Sequence, residues 1–312
     1  MRKTFLSSSL SHGPPAWVCG FFVLCGSALI AADAEPSYNG RLLSEWLADV
    51  SAGAVFGTTT RAEEAIRAMG TNAIPTLLKW ISYERSPSDR FPRAREVPQY
   101  YRWHTLNPDE LAYTAPSGFE FLGAMARAAV PELTRLARTS SDPERADRCT
   151  AALAGIGPEA IPSLLSLATN GPPLTRYWAV NGLEYFARKP EGVQTLPVVI
   201  RCLGDTEGSY AVDGPAQRIL ISMDPAVAIP ALTNALRSAS AQIRLEVARY
   251  LPAFEEAGDP RVPREIPAMV TALRAAICDP DYQVRDAATN SLRRMGEWEA
   301  PSANQHLQPT PR

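Results

Sequence analysis

Histidine and cysteine are scarce in this chain. Its 312 residues include three histidines and five cysteines, and no Cys-x-x-Cys, His-x-x-x-His, Gly-x-Ser-x-Gly or glycine-rich phosphate-binding pattern occurs. Those patterns supply the ligands, nucleophiles and phosphate contacts of the common metal, hydrolase and nucleotide sites. The sequence therefore predicts no catalytic residue, no metal and no cofactor, and we expect a protein that is not an enzyme. Acid–base chemistry by two carboxylates is the catalytic alternative that stays open.

Residues 1–34 have the order of an export signal. Arg2 and Lys3 precede an apolar run at 16–32, which ends in an Ala-Asp-Ala sequence. A charged start, an apolar middle and a small-x-small site are typical of signal peptides, so we expect cleavage after Ala34 and a periplasmic or secreted protein. The alternative is an uncleaved membrane anchor that holds the rest of the chain outside the cytoplasm, because about 17 apolar residues is the lower limit for a span.

The segment 35–312 is mildly acidic and contains three cysteines. Loss of Arg2, Lys3 and Asp33 takes the formal charge from −2 to −3, which disfavours nucleic acid as a partner. Cys149, Cys202 and Cys278 are too few for a disulfide framework. We expect mostly buried packing residues, with at least one thiol free or paired with another chain.

Proline, in contrast, is abundant and regularly placed. Nine of the 28 prolines follow Ile, Leu or Val, and six of these pairs, after a first gap of 56 residues, recur at spacings of 31 to 37. The pairs are Ile74-Pro75, Val130-Pro131, Ile161-Pro162, Leu196-Pro197, Ile229-Pro230 and Ile266-Pro267. A period near 35 predicts a stacked array of helical repeats.

Two sets of apolar positions support the array. Large aliphatic residues stand four positions before the residue that closes each first helix: Ile66, Leu153, Leu183, Leu220, Leu251 and Leu292. Smaller residues stand eight positions before it in the last five units: Cys149, Ala179, Ala216, Val247 and Ala288. These spacings place both sets on one helical face. In each second helix a large apolar residue follows the proline at plus two: Leu77, Leu133, Leu164, Val199, Leu232 and Met269. We predict an all-α chain.

These columns resemble the HEAT-repeat family, and the last copy matches best. It runs from Asp279 through Val284-Arg285 to Leu292 and ends at Met295-Gly296. The resemblance implies an α-solenoid, or superhelix, of about six to seven antiparallel helix pairs over 59–301. The valine–arginine step recurs as Ile243-Arg244, and elsewhere as Arg176 alone, so a continuous ladder of Asp–Arg pairs is not expected.

The ends and one insertion depart from the repeat. The lead-in at 35–58 resembles that of exported bacterial HEAT-repeat proteins, and we expect residues 41–50 to form a cap helix. Residues 302–312 are expected to be a disordered tail. The segment 83–117 is interpreted as an irregular insertion rich in aromatic residues and arginine. Arg102 and Trp103 within it are candidate partner contacts, although packing of the insertion onto the repeats is favoured.

The second helices carry a row of cations at plus four and plus seven from the proline. In the HEAT family these helices line the concave side of the superhelix, so the resemblance implies a basic inner surface. The candidate partner-binding residues on this row are Lys79, Arg135, Arg138, Arg201, Asn234, Arg237 and Arg274. A local alternative is that the cations at plus seven stabilise the carbonyl-rich helix ends.

The sequence thus predicts an exported, non-catalytic scaffold that binds a protein or an anionic polymer. An enzyme on the same fold, of the lyase or glycosylase type, is one alternative. A structural component of an envelope assembly is the other.

Overall fold

The computed structural model describes residues 34–51, 58–84, 106–206 and 208–298. The predicted export signal, the tail, Arg102 and Trp103 lie outside these residues. In the described ranges the chain is a succession of short helices with a two-stranded hairpin near its start. The elements are β1 Ser37–Tyr38, β2 Arg41–Leu42, α1 Leu43–Ser51, α2 Thr58–Met69, α3 Ile74–Ile81, α4 Pro108–Leu122, α5 Val130–Thr139, α6 Pro143–Ile156, α7 Ile161–Asn170, α8 Pro173–Leu183, α9 Leu196–Cys202, α10 Asp213–Ser222, α11 Pro225–Ala235, α12 Ala241–Tyr250, α13 Pro252–Glu256, α14 Ile266–Ala276 and α15 Tyr282–Arg294.

The recurring prolines lie at the starts of second helices, as the sequence predicts. Helices α3, α5, α7, α9 and α14 each begin at the aliphatic residue and carry proline in the first turn. Proline is tolerated there because the amide it lacks would have no acceptor. Helix α11 differs, since Asp224 caps it through the Ala226 amide and places Pro230 inside the helix.

The predicted apolar columns form the core. All members of the aliphatic, small-residue and plus-two sets are buried. They pack as one continuous cluster that extends from α1 to α15. The periodicity therefore predicted the interior of the array correctly.

The interpretation of 83–117 as an insertion is corrected by helix α4. This helix begins at Pro108, where Asn107 and Glu110 form a reciprocal capping box. It packs against α3 and α6 and is the first helix of the second unit. The insertion is therefore shorter than predicted, and Phe119 and Ala115, both buried, extend the two columns relative to Gly123.

A hairpin and a cap helix cover the first unit. Asn39 and Gly40 have positive φ between β1 and β2, as a tight two-residue hairpin turn requires. Helix α1 follows and buries Leu43 and Leu47 against the array. The predicted amphipathic helix is present, whereas the hairpin was missed although Asn-Gly is its usual sequence signal.

The solenoid has two long faces. We call one of them the first-helix face, which is formed by α2, α4, α6, α8, α10, α12 and α15. Along this face α4, α6, α8 and α10 contact one another in order, and α12 contacts α15. Helices α5, α7, α9, α11 and α14 likewise contact in order and, with α3, form the second-helix face. No helix in the described ranges is long and apolar enough to cross a membrane.

Candidate functional site

A groove lies between α9 and α11 on the second-helix face. Val199 and Leu232, at plus two from their prolines, are buried and fix how the two helices pack. The residues at plus four and plus seven then point away from this contact, because they lie on another side of the helix. Three predicted site residues, Arg201, Asn234 and Arg237, line the same groove.

The groove combines apolar walls with two cations. Its volume is about 540 Å³. We call it the second-helix groove, and its lining residues are Leu196, Pro197, Ile200, Arg201, Ala231, Asn234, Ala235, Arg237, Ser238 and Ile243. The lining contains no carboxylate. An apolar cleft with a few placed polar groups is the usual form of a binding site.

Arg201 and Arg237 are exposed and make no ion pair with any residue in the described ranges. Asp205, four residues after Arg201, is already bound by the Arg176 guanidinium at 2.8 and 3.1 Å. The two groove cations are therefore available to a negatively charged ligand.

Two other cations of the row, Arg135 and Arg274, have partners close by. Arg135 donates two hydrogen bonds, of 2.6 and 2.8 Å, to the Glu132 carboxylate. That contact holds the pKa of Glu132 below its usual value. Arg274 lies 3.7 Å from the Glu297 carboxylate. Glu132 is not among the residues predicted from the plus-four and plus-seven positions. Its spacing of three residues from Arg135 on the same helix is the sequence signal for this ion pair.

The remaining predicted residues do not join the groove. Lys79 is exposed on α3, and Arg138 is exposed on α5. Arg135 and Arg138 precede the groove by two units of the array, and Arg274 follows α11 by one second helix. The structure thus groups three of the seven candidates and leaves the other four as separate surface positions.

The cysteines offer no activated thiol in the core. Cys149 and Cys202 are buried, and burial raises the pKa of these thiols to about 12 and about 11. Cys278 is exposed, so two of the three cysteines are buried, in agreement with the expectation that most of them are packing residues. Among the described residues no cluster of His, Cys, Asp and Glu is arranged to hold a metal ion.

Ion pairs join successive units at matching positions. Arg176 at the start of α8 binds Asp205, and Arg244 at the start of α12 binds Asp279 through 2.8 and 2.9 Å contacts. The array thus combines stacked helix pairs, buried apolar columns and Arg–Asp links between units. The fold is a HEAT-type solenoid.

Solved structures provide likenesses at low similarity, whereas no protein-family model and no curated protein matches. The CpcE–CpcF complex of phycocyanin lyase from a Nostoc species is 21% identical over 53% of this chain and 98% of that one, with a TM-score of 0.32. Human deoxyhypusine hydroxylase is 18% identical over 81% and 84%, with a TM-score of 0.30. The Kap95:Nup1 complex is 12% identical over 82% of this chain and 34% of that chain, with a TM-score of 0.38.

The expectation that this chain is not an enzyme is corrected by these likenesses. Two of the similar structures are named as enzymes, a lyase and a hydroxylase. That expectation was based on a helical repeat array without catalytic motifs. A fold class does not determine whether a protein is an enzyme. At these TM-scores neither activity is carried over to this chain.

Proposed function

We propose that this chain is a protein-binding solenoid whose second-helix groove holds an acidic segment of a partner protein. The observation that carries the proposal is the pair Arg201 and Arg237, exposed and without ion partners in the described ranges, beside an apolar cleft. A segment that alternates carboxylate and aliphatic side chains would meet both parts of this surface.

Each component of the groove supports a different part of the affinity. Arginine binds a carboxylate through two parallel hydrogen bonds, which gives both strength and orientation. Ile200 and Ile243 provide apolar contact area between the cations. Because the groove cations have no carboxylate to leave, binding an acidic partner breaks no existing ion pair. At Arg135, in contrast, a partner would have to displace Glu132.

The test uses the full chain and a fluorescein-labelled peptide of alternating glutamate and leucine. The double substitution Arg201→Glu and Arg237→Glu is expected to weaken binding by more than about tenfold, since reversed charges repel the peptide and both guanidinium donors are lost. The measurement is fluorescence anisotropy, with the melting temperature checked to show that the variant is folded.

Arg135→Glu is the control, because it also reverses the charge of an arginine on the same face, at one position where the groove variant changes two. It should change the affinity by less than about twofold, since Arg135 is already occupied by Glu132. Equal losses in the two variants would contradict the groove. Heparin provides a further arm: binding of heparin but not of the peptide would favour an anionic polymer over a protein.

For the location of this activity we propose the space outside the cytoplasm. The support is the order of charged, apolar and small residues at 1–34. Fractionation of bacteria that express the full chain, followed by N-terminal sequencing, is expected to recover a chain that begins at Glu35. A full-length chain in the cytoplasmic fraction would contradict export, and a full-length chain in the membrane would identify the anchor alternative.

A further inference from the structure

A second groove lies on the first-helix face, on the other long side of the array. It crosses α4, α6 and α8 and has a volume of about 460 Å³. We call it the first-helix groove, and its lining residues are Pro116, Ser117, Glu120, Asp147, Thr150, Ala151, Ala154, Gly155, Trp178, Asn181, Gly182, Glu184 and Tyr185. This lining contains three carboxylates and no lysine or arginine, the reverse of the second-helix groove.

Small residues produce the groove by bringing the three helices together. A side chain at Gly155 would meet the Glu120 backbone of α4, 3.0 Å away, and one at Gly182 would meet the Thr150 carbonyl of α6 at 3.2 Å. Ala151 and Ala154 continue the low surface of α6 between these contacts. The larger side chains of α4 and α8 therefore form the two sides of the groove, and the small residues of α6 form its base.

Two of the carboxylates have no partner. Neither the Glu120 carboxylate on α4 nor the Asp147 carboxylate on α6 makes a hydrogen bond or ion pair with another residue of the described ranges. Asp147 is half-buried, and burial raises its pKa although the nearby Arg148 opposes the effect. Glu184 differs, because the Arg218 guanidinium lies 3.3 Å from it. The unpaired negative charge of the groove thus lies on its α4–α6 side.

The indole of Trp178 forms part of the opposite wall. Its ring nitrogen is buried and has no acceptor within the described residues. The ring packs edge-on against Tyr177 at 5.1 Å between centroids. Because Trp178 lines the groove, a ligand there can place a cation against the indole ring.

We infer that the first-helix groove binds a basic segment of a protein, with a lysine or arginine side chain between Trp178 and the carboxylates of Glu120 and Asp147. A cation compensates the cost of ionising a half-buried carboxylate, and an indole is the preferred ring for a cation. A peptide also carries main-chain carbonyls, the acceptors that the indole N–H lacks. Tyr185 is not assigned a cation, because Lys189 already lies 3.4 Å from the centre of its ring.

The test is binding of a short fluorescein-labelled lysine-rich peptide to the full chain, with the same peptide carrying glutamate as the negative probe. Glu120→Gln with Asp147→Asn is expected to weaken binding of the lysine peptide by about tenfold or more. Trp178→Phe is expected to remove the change in tryptophan fluorescence that accompanies binding in the unmodified chain.

Controls separate the groove from the general negative charge of the chain. Glu159→Gln removes an exposed carboxylate outside the groove and is expected to leave the affinity within about twofold. Arg201→Glu with Arg237→Glu should also leave it unchanged, so this inference and the proposed function can fail separately. If the double variant at Glu120 and Asp147 does not fold, the exposed Glu120→Gln alone is expected to weaken binding by about threefold. No binding of the lysine peptide, or losses no greater than in Glu159→Gln, would overturn the inference.

Discussion

At the scale of single residues, the Arg244–Asp279 pair is the most enclosed ion pair in the described chain. The two side chains are 11% and 7% exposed, and Arg244 also donates to the Ser238 carbonyl at 2.8 Å. Because both charges are removed from water, each depends on the other for compensation. The pair joins consecutive units and therefore acts on the stacking of the array.

Asp279→Ala is expected to lower the free energy of unfolding by about 3 kcal/mol, because it leaves the Arg244 guanidinium buried and unpaired. Urea unfolding at pH 7 measures the change. Asp286→Ala, an exposed carboxylate of α15 that accepts one hydrogen bond from Asn290, is the control and should cost less than about 0.5 kcal/mol. Equal effects would contradict the role of the buried pair.

The same pair predicts a dependence of stability on pH. Hydrogen bonding to Arg244 holds the pKa of Asp279 below its usual value. A carboxyl group with a lowered pKa in the folded state stabilises the fold above its unfolded pKa of about 3.9, and this contribution is lost as the pH falls through the folded value. As the pH falls from 5 through the folded-state pKa of Asp279, the free energy of unfolding of Asp279→Asn should therefore decrease less than that of the unmodified chain. Urea unfolding at each pH measures the difference. Parallel losses in the two proteins would be inconsistent with this linkage.

At the scale of elements, the connections between first and second helices place the faces. Gly192 lies in the 3-10 turn that joins α8 to α9, and a side chain there would collide with the Phe186 main-chain carbonyl. That turn sets where α9, and with it Arg201, stands relative to α11. The second-helix groove thus depends on a residue that does not line it.

Gly192→Ala is expected to destabilise the fold by about 2 kcal/mol or more, since the obstructing atom belongs to the backbone and cannot rotate away. Gly214→Ala is the control, because apart from the adjacent residues of the chain nothing lies within 4 Å of the added methyl group in α10. That variant should change the free energy of unfolding by less than about 1 kcal/mol, because the better helix propensity of alanine opposes the restriction that Pro215 places on the residue before it. Thermal unfolding of both variants tests the contrast, and similar destabilisation by the two would refute it.

At the scale of the whole molecule, the array has no single centre. Most contacts of each helix are with its own unit and the adjacent ones, so local changes should stay local. Helix α15 is the last described element and buries Val284 and Leu292 against the preceding unit, while its other side is polar.

Leu292→Ala is therefore expected to reduce amide-hydrogen protection in α12, α14 and α15 while leaving α4 and α6 unchanged. The cause is a cavity at one end of a linear array, where a Leu→Ala change costs about 2 to 5 kcal/mol. Hydrogen exchange followed by mass spectrometry resolves the segments. A uniform loss of protection along the chain would show that the solenoid unfolds as one unit.

The sequence by itself determined the units of the array and its interior. Proline at a helix start and apolar residues at fixed offsets express local rules, because capping and helical periodicity involve residues close in the chain. For this reason the columns that contain Leu153 and Leu164 were predicted correctly. The start of helix α4 is likewise predicted locally, since Asn107 precedes Pro108 and has the capping-box spacing to Glu110.

Only the tertiary structure decided that Arg201 is available. Glu132 lies three residues before Arg135 on one helix and can be read from the sequence, whereas the contact of Arg176 to Asp205 joins two units and leaves Arg201 without a partner in the described ranges. The same holds for the grooves, whose walls come from helices of different units. Contacts across units depend on how rigid helices stack, and no spacing within one helix specifies them.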